Sequence, residues 1–221
     1  GNKVWLNNGS GSFTDSGQSL GSRYSRGIEL ADLDGDGDLD AFVANDSGQG
    51  NKVWLNDGSG SFTDSGQSLG SYNSNDVKLA DFDSDGDLDA YVANYNQGNR
   101  VWVNDGSGSF TDSGLDLKDG SIYESYGVDL ADVDGDGDVD AFVANYNDYN
   151  KVWLNDGSGN FTDSGQSLRY SSSYDNSWDI EVADLDGDGD LDAFEANYNQ
   201  GNRVWLNNGS GSFTDSGQDL R

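Results

Sequence analysis

Apolar and polar residues alternate with a period of two in short runs along the whole chain, and that rhythm predicts β-strands. In residues 27–31, Ile28 and Leu30 flank Glu29; later runs carry Val77 with Leu79, Val128 with Leu130, and Ile180 with Val182. A second strand is predicted at 41–44 and a third at 52–56, where Val53-Trp54-Leu55 precedes Asp57-Gly58, a dipeptide that turns antiparallel strands. A fourth begins at Ser61 and runs to about Asp64. No segment carries a helical period, and the chain has no Pro.

The four strands recur as a unit. Trp5, Trp54, Trp102, Trp153 and Trp205 share the context Lys/Arg-Val-Trp-Leu/Val-Asn at spacings of 49, 48, 51 and 52 residues. A period of that length marks an array of supersecondary units. Repeated four-stranded antiparallel units are the blades of a β-propeller, in which radial packing protects the sheet edges. The expectation is therefore an all-β fold, a propeller or an open array of blades. Residues 1–20 form an N-terminal half-blade, and full blades span about 21–69, 70–118, 119–168 and 169–221. The half-blade lacks two strands, so the ring closes with one short blade, with residues outside this chain, or with a second chain. The repeated Trp residues are expected in the core.

Between the first and second strand of every full unit lies an aspartate loop, residues 32–40, 81–89, 132–140 and 184–192. Carboxylates at positions 1, 3, 5 and 9, glycine at 6 and a carbonyl at 7 offer enough hard oxygen to surround a calcium ion. Five carboxylates within nine residues repel one another by several tenths of a kcal/mol to a few per close pair, and a divalent cation reverses that sign. An EF-hand would need helices on both sides of the loop, whereas these flanks alternate as strands. Its twelfth-position glutamate is replaced by Val43, Val92 and Val143. Glu195 fills that place in the fourth copy, but three residues of strand carry it roughly 10 Å past Asp192. It is expected to mark a blade face with no neighbour, or with a different one.

These loops, with Leu/Val-Ala-Asp before each, Leu/Val-Asp-Ala after them and Val-Trp-Leu-Asn and Gly-Ser-Phe downstream, resemble the FG-GAP or VCBS-type calcium-binding repeats. That family includes the propeller head of integrin α chains and many bacterial surface proteins. The resemblance implies about four calcium ions, one per full blade. The carboxylates it points to are Asp32, Asp34, Asp36 and Asp40, with the main-chain carbonyl of Asp38 at position seven; Asp81, Asp83, Asp85 and Asp89 with that of Asp87; Asp132, Asp134, Asp136 and Asp140 with that of Asp138; and Asp184, Asp186, Asp188 and Asp192 with that of Asp190.

Charge narrows the partners. With 41 acidic and 11 basic residues and a formal charge of -30, nucleic acid and anionic membrane surfaces are disfavoured. Twenty of the acids sit in the four loops. Without Cys or His, thiol chemistry, disulfides and the usual general base are absent. No apolar run is long enough for membrane insertion. The chain carries no Met, so Gly1 is expected to follow processing or excision from a longer polypeptide. Aspartate loops suit millimolar calcium, which argues for a secreted or cell-surface location.

Strand order puts the calcium loops and the Asp-Gly turns on one face and the variable connections on the other. The variable set comprises 22–26, 71–76, 120–126 and 169–177, beside connections bearing Tyr95, Tyr146, Tyr149 and Tyr198. Tyr with Asn, Gln and Ser can stack on sugar rings or serve a protein partner. The same composition also suits plain solvated loops. The expected function is an extracellular recognition or adhesion module for a glycan or protein, not an enzyme. Two alternatives stand beside it. One is a structural unit that forms a homo-oligomer when a neighbouring chain completes the half-blade. The other is a polysaccharide-active enzyme such as a lyase, since some lyases of the resembled type use propellers with similar loops.

Overall fold

The computed structural model describes residues 1–118, 124–169, 175–218 and 220–221. Parts of two variable connections, 120–123 and 170–174, lie outside the described residues. The described residues form antiparallel strands, and among them no helix is long and apolar enough to cross a membrane.

β1 (Asn2–Asn7) and β2 (Phe13–Leu20) pair as a two-stranded sheet. The first blade comprises β3 (Ser25–Ala31), β4 (Asp40–Asn45), β5 (Lys52–Asn56) and β6 (Phe62–Asp64), hydrogen-bonded in that order. The second repeats it with β7 (Ser74–Ala80), β8 (Asp89–Asn94), β9 (Arg100–Asn104) and β10 (Phe110–Asp112). The third holds β11 (Ser125–Ala131), β12 (Asp140–Asp148), β13 (Lys151–Asn155) and β14 (Phe161–Asp163). The fourth holds β15 (Asp175–Ala183), β16 (Asp192–Asn197), β17 (Arg203–Asn207) and β18 (Phe213–Asp215). The long β12 also pairs with β15, through Tyr146 opposite Asn176, which fuses the last two blades into one continuous sheet.

The first strands of the blades, β3, β7, β11 and β15, contact one another in succession and so line the inner side of a curved array. Gly27 and Gly127 let them approach: a Cβ at Gly27 would stand 2.9 Å from the Asp76 Cα, and one at Gly127 would stand 3.0 Å from the Asp179 Cα. Carboxylates then bridge the blades. Asp76 accepts from the Val128 amide at 3.2 Å, and Asp129 accepts from the Val182 amide at 2.7 Å.

The core is a stack of interfaces between blades. Leu33, Phe42 and Val53 of the first blade meet Val77, Trp102 and Phe110 of the second. Phe82, Tyr91 and Val101 meet Val128, Trp153 and Phe161, and Val133, Phe142 and Val152 meet Ile180, Trp205 and Phe213. Each interface contains an edge-to-face ring pair, Phe42 with Phe110, Phe82 with Phe161 and Phe142 with Phe213, at 5.0–5.2 Å between centroids. This geometry adds about 0.5–1.5 kcal/mol to the burial of the rings. The repeated Trp residues follow the core expectation in the second to fourth blades, Trp54 is half-buried, and Trp5 of the half-blade is 56% exposed.

The expectation for Glu195 is corrected. Its side chain is fully buried, on the face of the fourth blade that packs against the third, where Val92 and Val143 stand in their own blades. Valine is replaceable here because polar partners are supplied: the Ser177 hydroxyl donates to one carboxylate oxygen at 2.7 Å and the Trp205 indole N–H to the other at 2.5 Å. The residue opposite in the ladder is Arg203.

Two predictions follow the inter-blade carboxylates. Glu195→Val would recreate the Val92, Arg100 and Trp102 combination of the second blade, where the Trp102 indole N–H has no partner. Removing the shared acceptor leaves the buried Trp205 indole N–H without its partner, and an unsatisfied buried donor costs about 1–3 kcal/mol. Denaturant melts should therefore show Glu195→Val losing about 1–3 kcal/mol, while Trp205→Ala costs roughly 3–5 kcal/mol. The Asp76 carboxyl is pushed up from 3.8 to about 6, first by burial and against the pull of the Val128 and Val77 amides. A carboxyl with a raised folded pKa binds its proton more tightly in the native state. Its favourable contribution is present below about pH 4 and is lost as pH rises through about 6. Melting temperature measured in chelator should fall between pH 4 and 6.5, and fall less in Asp76→Asn.

Candidate functional site

The loops between the first two strands of each blade are held by their own aspartates. At position 1, Asp32 accepts from the Gly35 and Gly37 amides at 2.8 and 3.0 Å, and Asp132 accepts from Gly135 and Gly137 at the same distances. Asp81 accepts from Asp85 and Gly86, and Asp184 from Gly187. In the second loop Ser84, with φ of 63°, occupies the left-handed position that glycine fills in the others. These turns bring three carboxylates together in each of the first three loops: Asp32, Asp34 and Asp36; Asp81, Asp83 and Asp85; Asp132, Asp134 and Asp136. In each group one oxygen per residue lies within 4.8 Å of the others. In the fourth loop the group is Asp184, Asp186 and Asp192, and Asp188 stands outside it.

Position 9 has a different duty. Asp40, Asp89, Asp140 and Asp192 are buried. Asp40 accepts from the Leu33 amide at 3.0 Å and from the Asn56 amide of β5 at 2.8 Å. Asp89, Asp140 and Asp192 repeat the pair on Phe82 and Asn104, Val133 and Asn155, and Leu185 and Asn207. Each of these carboxylates ties the loop's second residue to the third strand of the blade. At position 7, Asp38, Asp87, Asp138 and Asp190 lie over the turn glycines Gly58, Gly106, Gly157 and Gly209. The amide of Asp38 also bonds Asp36 at 2.9 Å.

The clustered carboxylates are short of positive charge. Among the described residues, no ion pair involves a loop aspartate. Asp34 is held above the ordinary carboxylate range, first by desolvation and then by the charges of Asp40, Asp36 and Asp32. Asp83, Asp134 and Asp186 shift the same way, desolvation leading and neighbouring loop aspartates adding to it. Burial pushes Asp89 and Asp140 to about 6, against the amides that bond them. One Asp83 oxygen is buried with no hydrogen-bond partner. A convergent set of hard oxygens, one of them orphaned, fits a hard divalent cation such as calcium.

The opposite face carries a row of aromatic rings. Tyr95 meets Tyr126 edge-on at 5.9 Å, and Tyr126 lies 5.4 Å from Tyr146. Tyr126 stacks on Trp178 at 5.6 Å and 16°, and Trp178 stacks on Tyr198 at 5.2 Å and 13°. Trp178 and Tyr198 remain about half exposed. Beside Tyr95 and Tyr126 opens a cleft of about 400 Å³ lined by Arg26, Asp46, Ser47, Asn73 and Asn75. Asn96, Asn147 and Asn199 adopt left-handed backbone at the same point of three connections, with φ of 57–60°, and so fix the turn beside each tyrosine.

Of the four tyrosines singled out by sequence, the structure brings Tyr95, Tyr146 and Tyr198 into this row. Tyr149 lies apart, beneath the Arg169 guanidinium at 4.4 Å from the ring centre. Sequence reasoning held Tyr126 within the variable set 120–126 without singling it out and missed Trp178; the two occupy corresponding positions of β11 and β15 where the earlier blades carry Arg26 and Asn75. The available signal was Trp178 itself: of six tryptophans it alone lies outside the repeated Val-Trp context.

Comparison with known proteins agrees with this architecture. The model of the FG-GAP-like repeat matches residues 1–43, 32–92, 81–143 and 132–195. No curated protein sequence is a match. Among solved structures, the fold is similar to BBS1N in complex with ARL6DN, soaked with lead, at a TM-score of 0.62 and 12% identity over 99% of this chain and 61% of that one. It is also similar to a candidate 6-phosphogluconolactonase from Bacteroides uniformis, at a TM-score of 0.63 and 14% identity over 90% of this chain and 55% of the other. This chain thus spans between half and two thirds of the length of both. With its repeats matched from residue 1 to 195 and its four-stranded sheets packed as blades, the chain belongs to the FG-GAP-like repeat family.

Proposed function

We propose that this chain is a calcium-stabilised, extracellular recognition module that binds glycans through the aromatic row opposite its aspartate loops. The observation that carries the reading is the stacked run of Tyr126, Trp178 and Tyr198, with Tyr95 and Tyr146 beside it. Flat, partly exposed rings offer apolar faces to the C–H side of a sugar ring, while Asn73, Asn75 and Arg26 in the adjoining cleft can hydrogen-bond hydroxyls. Leaving a polar-edged aromatic surface of this kind half exposed is typical of binding surfaces.

Calcium has a structural part in this reading. Asp32, Asp34 and Asp36 and their counterparts would hold the ions, and the cation would offset the repulsion among them. Millimolar calcium outside cells matches loops of this simple aspartate type. An assignment to catalysis has less support, because the chain has no His and its clustered carboxylates are already committed to the loops.

Two measurements test the two halves of the reading. Binding to the native state alone adds about 2.7 kcal/mol per site when calcium stands at 100 times its dissociation constant. Excess chelator should therefore lower the melting temperature clearly, and Asp83→Ala should reduce the calcium-induced gain; an unchanged melt in chelator contradicts the metal assignment. On a glycan array the parent chain should give hits whose affinity drops tenfold or more, ~1.4 kcal/mol, in Trp178→Ala and Tyr126→Ala with calcium-bound melting retained. Absence of binding to every glycan would sink the glycan reading.

A further inference from the structure

Each blade pairs its first two strands across the same irregularity. In the third blade Ser125 stands opposite Asn145 and Gly127 opposite Ala144, which leaves Tyr126 in a bulge of β11. A bulge of this kind re-aims the side chain it carries. Tyr126 is turned toward the residue that follows Asn145, which is Tyr146. The same bulge sets Arg26 beside Asp46 in the first blade, as an ion pair at 2.8 Å, and Trp178 on Tyr198 in the fourth, as a stack at 5.2 Å. In the second blade these two positions hold Asn75 and Tyr95. Only the third blade places two phenols there.

Both tyrosines are held from the backbone. The Tyr146 amide donates to the Glu124 carbonyl at 2.8 Å, and the Ser125 hydroxyl donates to the Asn145 side chain at 2.7 Å. Asn147, with φ of 60°, donates from its side chain to the Glu124 carboxylate at 3.1 Å. The two rings stand 5.4 Å apart between centroids, with their planes tilted by 46°. Their hydroxyl edges lie together: the Tyr126 phenol is pushed above its ordinary value, first by burial and then by Tyr95, Glu124 and Tyr146, against the pull of Arg26. Both rings are half-buried, so each keeps an edge within reach of solvent.

We propose that Tyr126 and Tyr146 are an oxidative cross-linking site, closed to dityrosine by a one-electron oxidant such as a haem peroxidase acting on hydrogen peroxide. Each phenol gives up one electron and its hydroxyl proton, and the two radicals join through the ring carbons ortho to oxygen. The hydrogens on those carbons move to the oxygens, which restores both phenols. Two electrons and two protons leave the chain in all, and they reduce one peroxide to two waters.

The bond spans the open end of the β11–β12 hairpin, whose other end is the aspartate loop 132–140. A link that closes this stretch of chain constrains the unfolded state as a disulfide does, and the chain has no Cys to form one. The hairpin that carries Asp132, Asp134 and Asp136 is then held together without help from a cation. The site uses two members of the aromatic row and does not depend on glycan binding.

The test treats the full chain, dilute and in calcium, with peroxidase and hydrogen peroxide. The expected product is a monomer lighter by two hydrogens, with the blue emission of dityrosine. Trypsin, cutting after Lys118 and Lys151, should leave the mass loss in the one peptide between them, and further cleavage at Asp132 and Asp134 should leave its parts joined. Tyr126→Phe and Tyr146→Phe each keep a ring in place and should abolish the product. In excess chelator the treated parent should melt higher than the untreated one, and treated Tyr146→Phe should show no such gain. A chain that keeps its hydrogens overturns the proposal, as do links formed only between chains, a product that survives in Tyr146→Phe, a bond from Tyr126 to Tyr95 instead, or a cross-linked chain that melts no higher.

Discussion

Repulsion among carboxylates is concentrated where the blades are joined. Each aspartate loop packs five acids into nine residues, and the same loop supplies three links of the fold. Its ninth residue binds the third strand of its own blade, as Asp40 does to Asn56. Its second residue buries a side chain in the next interface, as Leu33, Phe82 and Val133 do. The carbonyl of that second residue holds the turn of the following blade, as Val133 does through Asn207 and the Gly211 amide. A charge problem on the rim is therefore coupled to packing in the core, and a cation that relieves the first secures the second. The loop works as a joint between blades.

This arrangement divides labour between two faces. The loop face is nearly the same in every blade because it must repeat the same joint. The opposite face is free of that duty, and there the chain departs from repetition: Arg26 and Asn75 give way to Tyr126 and Trp178, and the rings of neighbouring blades meet. The inner strands show a related alternation, with Gly27 and Gly127 facing Asp76 and Asp179 across blade boundaries. Identical blades could not supply both the close approach and the bridging carboxylate at one boundary.

Much of the architecture was legible in the sequence because strands and loops are local. Alternation in residues 27–31 marks β3, Asp57-Gly58 marks the turn before β6, and the spacing of Asp32, Asp34 and Asp36 alone brings their oxygens together. What escaped was set by neighbours. Glu195 reads as a misplaced charge until Ser177 and Trp205 are seen to bond both its oxygens. Asp40 and Asp34 look equivalent in a ligand pattern, yet one is buried against two backbone amides and the other faces its fellow carboxylates. Tyr149 shares its composition with the other tyrosines but is claimed by Arg169 from the next connection. Repetition tells which residues share an environment; it does not tell which environment that is.

The central claim is that the four loops are cation-holding joints and that their ions are part of the native structure. Calcium stoichiometry, counted by titration calorimetry on metal-free protein and by native mass spectrometry, tests it most directly. Four ions per chain, one for each of the clusters led by Asp32, Asp81, Asp132 and Asp184, is the result this account predicts. Saturating calcium that leaves the chain with no bound ion would contradict it.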